Sequence, residues 1–209
     1  MIIPWNTDAP IYHFPFVTIG LIVINTGVFF ATLQSYDAEQ WMLAFGEGLV
    51  PYQWVTSVFM HAHLGHLLGN MIFLWAFGLV IEGKLGWWRF LLVYLGLGIV
   101  QSAVVQICMQ HEPGCALGAS GAIYGLLAMA LIWAPNNEMN CVGLLGLRLF
   151  HVDISILAIV TLYVGWEIVK VCLNDFAMSS AMLHLAGAIP GFALATVPLW
   201  DAGGRPPPL

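Results

Sequence analysis

The sequence predicts an all-α polytopic membrane protein built from six transmembrane helices. Three observations support this fold class: the 209 residues are 60% hydrophobic, only 8% are charged, and the mean hydropathy is +0.88. Soluble proteins average about 25% charged residues, and a soluble core of this size does not need so much apolar surface. The net charge of -6, with only five Lys and Arg residues, leaves no basic patch for nucleic acid.

Six apolar segments are long enough to be helices that cross a bilayer, which requires about 20 residues for about 30 Å of hydrocarbon. The predicted helices are 16–33, 64–81, 87–109, 118–134, 154–173 and 181–200, within one membrane domain over 1–200. Turn-forming residues such as Pro-Asn-Asn at 135–137 separate them. We expect 34–60 to be a long interfacial first loop and 201–209 a flexible tail.

The few basic residues predict the orientation in the lipid bilayer. With a cytoplasmic N-terminus, the basic residues on the cytoplasmic side are Lys84, Arg89, Arg148 and Arg205. Only Lys170 then faces outward. Both termini are cytoplasmic in this topology, and we expect a prokaryotic plasma (inner) membrane. Because the first residues lack a basic segment, we expect the first helix to be retained and not cleaved as a signal peptide.

Ser120 and His184 are the candidate catalytic residues. Each lies near the start of a predicted helix, and in this topology both helices run from the outer face inward. The two side chains are therefore expected at similar depth near the outer face, where water can reach them. A serine hydroxyl beside an imidazole base is the minimal set for nucleophilic catalysis.

A histidine cluster precedes the second predicted helix and is expected at the same depth. His66 and Asn70 have i, i+4 spacing and so share one helix face. Metal binding by His61, His63 and His66 is one interpretation, but the His-Glu-x-x-His pattern and a nearby acid are missing. Stabilisation of an oxyanion by His66 and Asn70 fits better, and no metal or other cofactor is predicted.

Glycine stripes accompany the candidate catalytic residues. The G-x-x-x-G pairs are Gly121/Gly125 and Gly187/Gly191. Small residues allow membrane helices to approach closely, which a hydrogen bond between a serine and a histidine on neighbouring helices requires. Gly65 and Gly69 could act similarly on the second helix, and plain packing explains them equally well.

Three motifs, taken in order, resemble the rhomboid family of intramembrane serine proteases. They are His-x4-His-x3-Asn (His61, His66, Asn70), Gly-x-Ser-Gly (Gly118, Ser120, Gly121) followed by Tyr124, and His-x-x-Gly (His184, Gly187). The resemblance implies a rhomboid-like bundle around a water-accessible cavity and a Ser120–His184 dyad without a third acid. It also implies an oxyanion site of His66, Asn70 and the Ser120 amide, and single-span membrane proteins as substrates.

Two supporting features each have two interpretations. Tyr124 lies one turn after Ser120 and either packs against His184 or only fills space between helices. The first loop either supports the active site, as the resemblance implies, or anchors in the interface. The family often carries Trp-Arg where this chain has Tyr52-Gln53, and alanine where it has Leu183, so the packing of the first loop is the open point.

Other polar residues receive structural interpretations. Gln101, Gln106 and Glu167 lie within predicted helices, where hydrogen bonds between helices are favoured over relay roles. Glu82 is expected to cap loop backbone on the cytoplasmic side. Cys108 and Cys115 flank an outer loop and could pair in an oxidising compartment.

Three functions follow. The leading one is an intramembrane serine endopeptidase that cleaves transmembrane segments of membrane proteins near the outer face. The second is a proteolytically inactive helix-binding or chaperone protein, against which Ser120 and His184 both argue. The third is a small transporter or channel, disfavoured by the lack of repeats and of charge near the bilayer midplane. The sequence does not define the oligomeric state.

Overall fold

The computed structural model describes residues 2–33, 35, 37–145, 148–174 and 179–197. Within these residues the chain forms the helices α1 (Phe16–Thr32), α2 (Gln53–Thr56), α3 (Leu64–Leu85), α4 (Trp87–Cys108), α5 (Ser120–Trp133), α6 (Ile156–Leu173) and α7 (Ser180–Ala195). Short 3-10 helices at Ala38–Trp41 and Ser57–Phe59 belong to the first loop. The predicted tail, 201–209, lies outside the described residues.

The apolar helices differ in length. By length and composition α3, α4 and α6 are each able to cross a membrane, whereas α1, α5 and α7 are shorter apolar helices among the described residues. The predicted all-α polytopic membrane fold is confirmed, and the count of six spans stays a prediction. The helix predicted at 64–81 continues to Leu85, where Gly86 ends it with a φ of 76°.

Helix α5 is the centre of the bundle. The side chains from Leu126 to Ala130 are all fully buried, and the helix packs against α3, α4, α6 and α7. Glycine and alanine occupy much of its first two turns, so its neighbours can approach its backbone closely. The four helices packed around α5 therefore fix the position of its first residue, Ser120.

Among the described residues, two small antiparallel sheets lie in the N-terminal segment and in loops between helices, where no strand was predicted. One has the strand order β1 (Ile2–Thr7), β4 (Glu138–Leu145) and β5 (Arg148–Ser155), and the other pairs β2 (Leu43–Phe45) with β3 (Gly114–Ala116). In β4, Met139 and Cys141 are buried, while the Asn140 side chain between them donates to Asp153. This alternation is typical of a half-buried strand.

The start of α6 differs from its predicted position. The predicted helix 154–173 begins within β5, but α6 begins at Ile156. Ser155 adopts an extended conformation, and its hydroxyl accepts from the Ala158 N–H at 3.2 Å. The serine therefore caps the helix and fixes the boundary between strand and helix.

Glu82 joins α3 to the first helix. Its carboxylate is fully buried and accepts hydrogen bonds from the Val17 N–H (2.8 Å), the Thr18 N–H (2.7 Å) and the Thr18 hydroxyl (2.7 Å). These amides begin α1 and have no partner within that helix. Glu82 therefore caps backbone, but the backbone is the first turn of α1 and not a loop as predicted. The carboxylate satisfies the free amides and stabilises the positive end of the helix dipole.

The first loop is tied down by two buried glutamines. Gln53 accepts from the Ala44 N–H at 2.9 Å and donates to the Gln40 carbonyl at 3.0 Å. Gln106 of α4 accepts from the Trp54 indole at 2.6 Å and donates to the Ala44 carbonyl at 2.9 Å. These amide side chains hold the first loop in place. The packing of this loop was the open point, because Tyr52-Gln53 departs from the Trp-Arg that the family often carries. Gln106 has the structural hydrogen-bonding role that was favoured for it over a relay role.

Candidate active site

The turn before α5 positions Ser120 as the first residue of that helix. Gly118 has a φ of 121°, a conformation that favours glycine, and its N–H donates to the Ser57 carbonyl at 2.9 Å. A Cβ built on Gly118 would lie 2.8 Å from His66 Nε2 and 3.4 Å from Asn70 Nδ2. The missing side chain therefore allows the backbone before Ser120 to approach both residues of α3.

His66 and Asn70 share the face of α3 that meets this turn. His63 begins the helix as its N-cap, because His63 Nδ1 accepts from the His66 N–H at 3.1 Å. The Asn70 amide nitrogen is buried, and no described residue accepts a hydrogen bond from it. A buried donor without a partner is costly, and here it remains available to a ligand in the cavity.

His61 is buried behind His66. Their rings meet edge to face with centroids 5.1 Å apart. Burial lowers the pKa of His61 to about 4, and the nearby His66 contributes to this shift. Among the described residues no three His, Cys, Asp or Glu side chains form a group suited to a metal ion.

His184 enters the site from the second turn of α7. Its ring stacks on the Tyr124 ring with centroids 4.3 Å apart and planes 8° from parallel. Of the two interpretations of Tyr124, packing against His184 therefore matches the structure better than space filling. The stacked ring restricts rotation of the imidazole.

The glycine stripes of α5 and α7 face each other. A Cβ on Gly187 would collide with the Gly121 carbonyl, and one on Gly191 with the Gly125 carbonyl. Backbone-to-backbone contact holds the two helices together directly below Ser120 and His184. By contrast, a Cβ added to Gly69 would have no atom within 4 Å, and this glycine lines the cavity and makes no close helix contact.

One cavity of about 360 Å³ brings the predicted residues together. Its lining includes Ser120, His184, His66 and Asn70, together with Gly65, Gly69, Phe73, Ile123, Tyr124, Tyr163 and Ser180. Four polar groups from three helices thus converge on one space. A smaller cavity on the other side of Ser120 is lined by Ser57, Gln101 and Ser102.

Glu167 of α6 makes more contacts than the hydrogen bond between helices that was predicted for it. The carboxylate does hydrogen-bond between helices, since Oε1 accepts from the Tyr124 hydroxyl at 2.9 Å. Oε1 also lies 3.2 Å from His184 Nδ1, and Oε2 forms an ion pair with Lys170 Nζ at 2.6 Å. An ionisable residue inside a membrane helix is by default a candidate for function, and that signal was present in the sequence.

The cysteines do not form part of this site. Cys108 and Cys115 are exposed and carry free thiols in this structure. The disulfide considered for this pair is therefore not formed here.

Comparison with known proteins gives the family. A family model of the Rhomboid domain matches residues 50–200. The chain is similar to Rhomboid protease GluP of Bacillus subtilis, at 31% identity over 174 residues that make up 82% of this chain and 31% of that protein. It is also similar to Rhomboid protease GlpG of Pectobacterium atrosepticum, at 26% identity over 196 residues that make up 92% of this chain and 65% of that protein.

The chain spans about a third of the length of the Bacillus protein and just under two thirds of the Pectobacterium protein. The match to the domain model nevertheless covers more than half of the chain and includes every motif residue named above. The protein is an integral multi-pass membrane protein and belongs to the rhomboid family.

Proposed function

We propose that this protein is an intramembrane serine endopeptidase in which Ser120 and His184 form the catalytic dyad. The observation that carries the proposal is the single cavity lined by Ser120, His184, His66 and Asn70. A nucleophile, a base and hydrogen-bond donors around one space are the parts that acyl transfer requires. The named rhomboid proteases among the relatives support the same reaction class.

In the proposed reaction, the Ser120 hydroxyl attacks the scissile carbonyl while His184 takes its proton. The tetrahedral intermediate collapses, the peptide C–N bond breaks, and His184 returns the proton to the leaving amine. Water then enters the cavity and attacks the acyl carbonyl while His184 takes one of its protons. The ester C–O bond to Ser120 breaks, the carboxylic acid product leaves, and His184 returns the proton to the Ser120 oxygen. The Tyr124 ring keeps the imidazole in orientation through these steps.

The developing oxyanion is stabilised by three donors. These are His66, the Asn70 amide, and the N–H of Ser120, which as the first helical residue has no partner within α5. The closeness of the Gly118 backbone to His66 and Asn70 supports this grouping. The positive end of the α5 dipole adds to the same effect.

Transmembrane segments of membrane proteins are the proposed substrates, cleaved near the outer face after a small residue. A scissile bond must be in extended backbone, so helix-weakening Gly or Pro in the substrate should help. The proposal includes six spans, cytoplasmic termini and a site open to the outer side of a plasma membrane. Lipid is the only other partner proposed, and the oligomeric state stays open.

The test measures cleavage of a membrane-tethered single-span reporter by purified protein in proteoliposomes, alongside labelling by a fluorophosphonate probe. We expect Ser120→Ala to abolish both, and His184→Ala to lower both by at least about 10³-fold. The matched controls are Ser35→Ala and His151→Ala, which change an exposed serine and an exposed histidine outside the cavity lining. Both should retain wild-type rates.

Undiminished cleavage by Ser120→Ala or His184→Ala would remove the dyad assignment. Wild-type protein that neither cleaves any of a panel of single-span reporters nor reacts with the probe, yet retains them in pull-downs, would support the inactive helix-binding alternative instead.

A further inference from the structure

A carboxylate lies beside the candidate base, although the family resemblance implies a dyad without an acid. We propose that Glu167 is a positioning residue that orients His184 and stabilises its protonated form, so that this chain operates a Ser120–His184–Glu167 triad. The inference rests on the proposed function and adds a residue to its site. Glu167 is 4% exposed and lies on α6, while the dyad residues lie on α5 and α7.

The geometry divides the two carboxylate oxygens between different partners. Oε1 accepts from the Tyr124 hydroxyl at 2.9 Å and lies 3.2 Å from His184 Nδ1. Oε2 pairs with Lys170, three residues further along the same helix. Because both oxygens are restrained, the position of the carboxylate is fixed before substrate arrives.

Tyr124 connects the acid and the base. Its ring stacks on the His184 ring, and its hydroxyl donates to the same Oε1 that faces His184. A side chain that only filled space would not need both contacts. The imidazole is thus held on its face by the tyrosine ring, and its Nδ1 edge lies next to the carboxylate.

The Nδ1 atom of His184 has no other use. It is buried, and no described residue forms a well-aligned hydrogen bond with it. The Glu167 oxygen is within ion-pair distance of it, and alignment of catalytic hydrogen bonds commonly improves when substrate binds. Once substrate binding aligns the Nδ1–H with Glu167, the proton-accepting nitrogen is Nε2, which is the tautomer that a serine nucleophile needs.

The chemical consequence appears when the proton moves. As Ser120 attacks, its proton passes to Nε2 and His184 becomes an imidazolium cation. Glu167 remains ionised, and its negative charge stabilises the imidazolium at short range. The site is partly desolvated, so this attraction is stronger than it would be in water. The proton stays on His184 until the leaving amine takes it.

Groups from three helices face His184. They are Tyr124 from α5, Glu167 and Lys170 from α6, and His66 from α3 across the cavity. Glu167 is the carboxylate among these described groups. Replacing it by glutamine preserves the size of the side chain, removes the negative charge and exchanges one acceptor oxygen for an NH2 donor.

The test compares wild type, Glu167→Gln and Glu167→Asp by kcat and by the pH dependence of reporter cleavage in proteoliposomes. We expect Glu167→Gln to lower kcat by about 10- to 100-fold at neutral pH, because the imidazolium loses its partner. The acid limb of the pH–rate profile of Glu167→Gln should move by about one pH unit toward lower pH, because an imidazole without a neighbouring carboxylate gains a proton only in stronger acid. Glu167→Asp should recover part of the rate.

Glu112→Gln is the matched control, since it neutralises an exposed acid of the loop between α4 and α5. It should leave both the rate and the acid limb unchanged. A purely structural Glu167 would give a lower rate with an unmoved acid limb, and that outcome, or an unchanged rate, overturns the triad. If wild type is inactive, or if Ser120→Ala retains activity, the proposed function itself fails, which the Glu167 variants alone would not produce.

Discussion

The two carboxylates that are buried among the described residues, Glu82 and Glu167, are in contrasting surroundings. Glu82 lies near the end of α3 and accepts hydrogen bonds from two amides and one hydroxyl of α1. Glu167 lies in the second half of α6 and faces a tyrosine hydroxyl, a lysine and an imidazole beside a cavity. The Glu82 carboxylate is bonded mainly to backbone amides, whereas the Glu167 carboxylate contacts only side chains among the described residues, one of them the candidate base.

The difference separates two regions of the molecule. In the Glu82 region the backbone amides that begin α1 are hydrogen-bonded, and the preceding residues of α3, Phe77, Val80 and Ile81, are fully buried. In the Glu167 region the helices part to leave the cavity. We therefore expect substitutions around Glu82 to change stability at constant chemistry, and substitutions around Glu167 to change chemistry at nearly constant stability.

The glycine contact between α5 and α7 should break this separation and give the largest effect. In Gly187→Ala the new methyl group meets the Gly121 backbone, which cannot move aside as a flexible side chain could. Forcing the helices apart should lower stability by about 1–3 kcal/mol. A displacement of about 1 Å between Ser120 and His184 should also lower kcat by about 100-fold. Unfolding in detergent and reporter cleavage measure the two effects.

Gly20→Ala is the matched control on α1, because no atom lies within 4 Å of its added methyl group. It should be neutral or stabilise the helix by up to about 1 kcal/mol. Equal behaviour of Gly187→Ala and Gly20→Ala would mean that the contact between the stripes is dispensable.

Removal of the capping acid should give the next largest effect, confined to stability. Glu82→Ala leaves the Val17 and Thr18 amides and the Thr18 hydroxyl without their buried acceptor. We expect a loss of about 3 kcal/mol in the free energy of unfolding, because unsatisfied buried donors are expensive. The folded fraction should cleave the reporter at the wild-type rate per molecule, measured after titration of active sites with the fluorophosphonate probe. A changed pH profile in this variant would contradict the separation.

The contrast also shows what the sequence made predictable. The apolar segments and turn residues identified the helices, because burial in lipid leaves a strong signal of length and composition. The spacing of Gly187 and Gly191 indicated a close helix contact. The place of Glu82 at a helix end indicated a backbone cap, although loop backbone was expected and the first turn of α1 is what it caps. These features depend on local pattern or on a single neighbouring element.

The contact between Glu167 and His184 was not predictable in the same way. It depends on the rotation of α6 about its axis, which sequence spacing leaves free and which packing of α6 against α7 decides. The strands β4 and β5 were also missed, because eight-residue segments of mixed polarity give a weak signal beside long apolar helices. The loop network of Gln53 and Gln106 needed the same three-dimensional information.

Loss of one hydroxyl should sharpen the contrast from the catalytic side. Tyr124→Phe keeps the ring stacked on His184 but removes the hydrogen bond to Glu167. We expect kcat to fall by about 3- to 10-fold, the equivalent of one ordinary hydrogen bond, with little change in stability. Tyr124→Ala, which also loses the ring, should be more severe. Tyr52→Phe is the control, because the Tyr52 hydroxyl donates to the Gln40 carbonyl within the first loop and does not line the cavity. Equal rates for the two Phe variants would exclude a role for the Tyr124 hydroxyl.

A smaller effect on stability is expected behind the cavity, at His61. Its pKa of about 4 in the folded protein lies below the ordinary value of 6.5, so the unfolded chain binds the proton more readily. This part of the stability is complete well above pH 6.5 and is lost as the pH falls toward 4, by about 1 kcal/mol at pH 5.5. His61→Phe removes the titrating group, so the unfolding midpoint in detergent should fall less between pH 7.5 and pH 5.5 than in wild type. An identical fall in both proteins would show that His61 does not account for the acid sensitivity of this region.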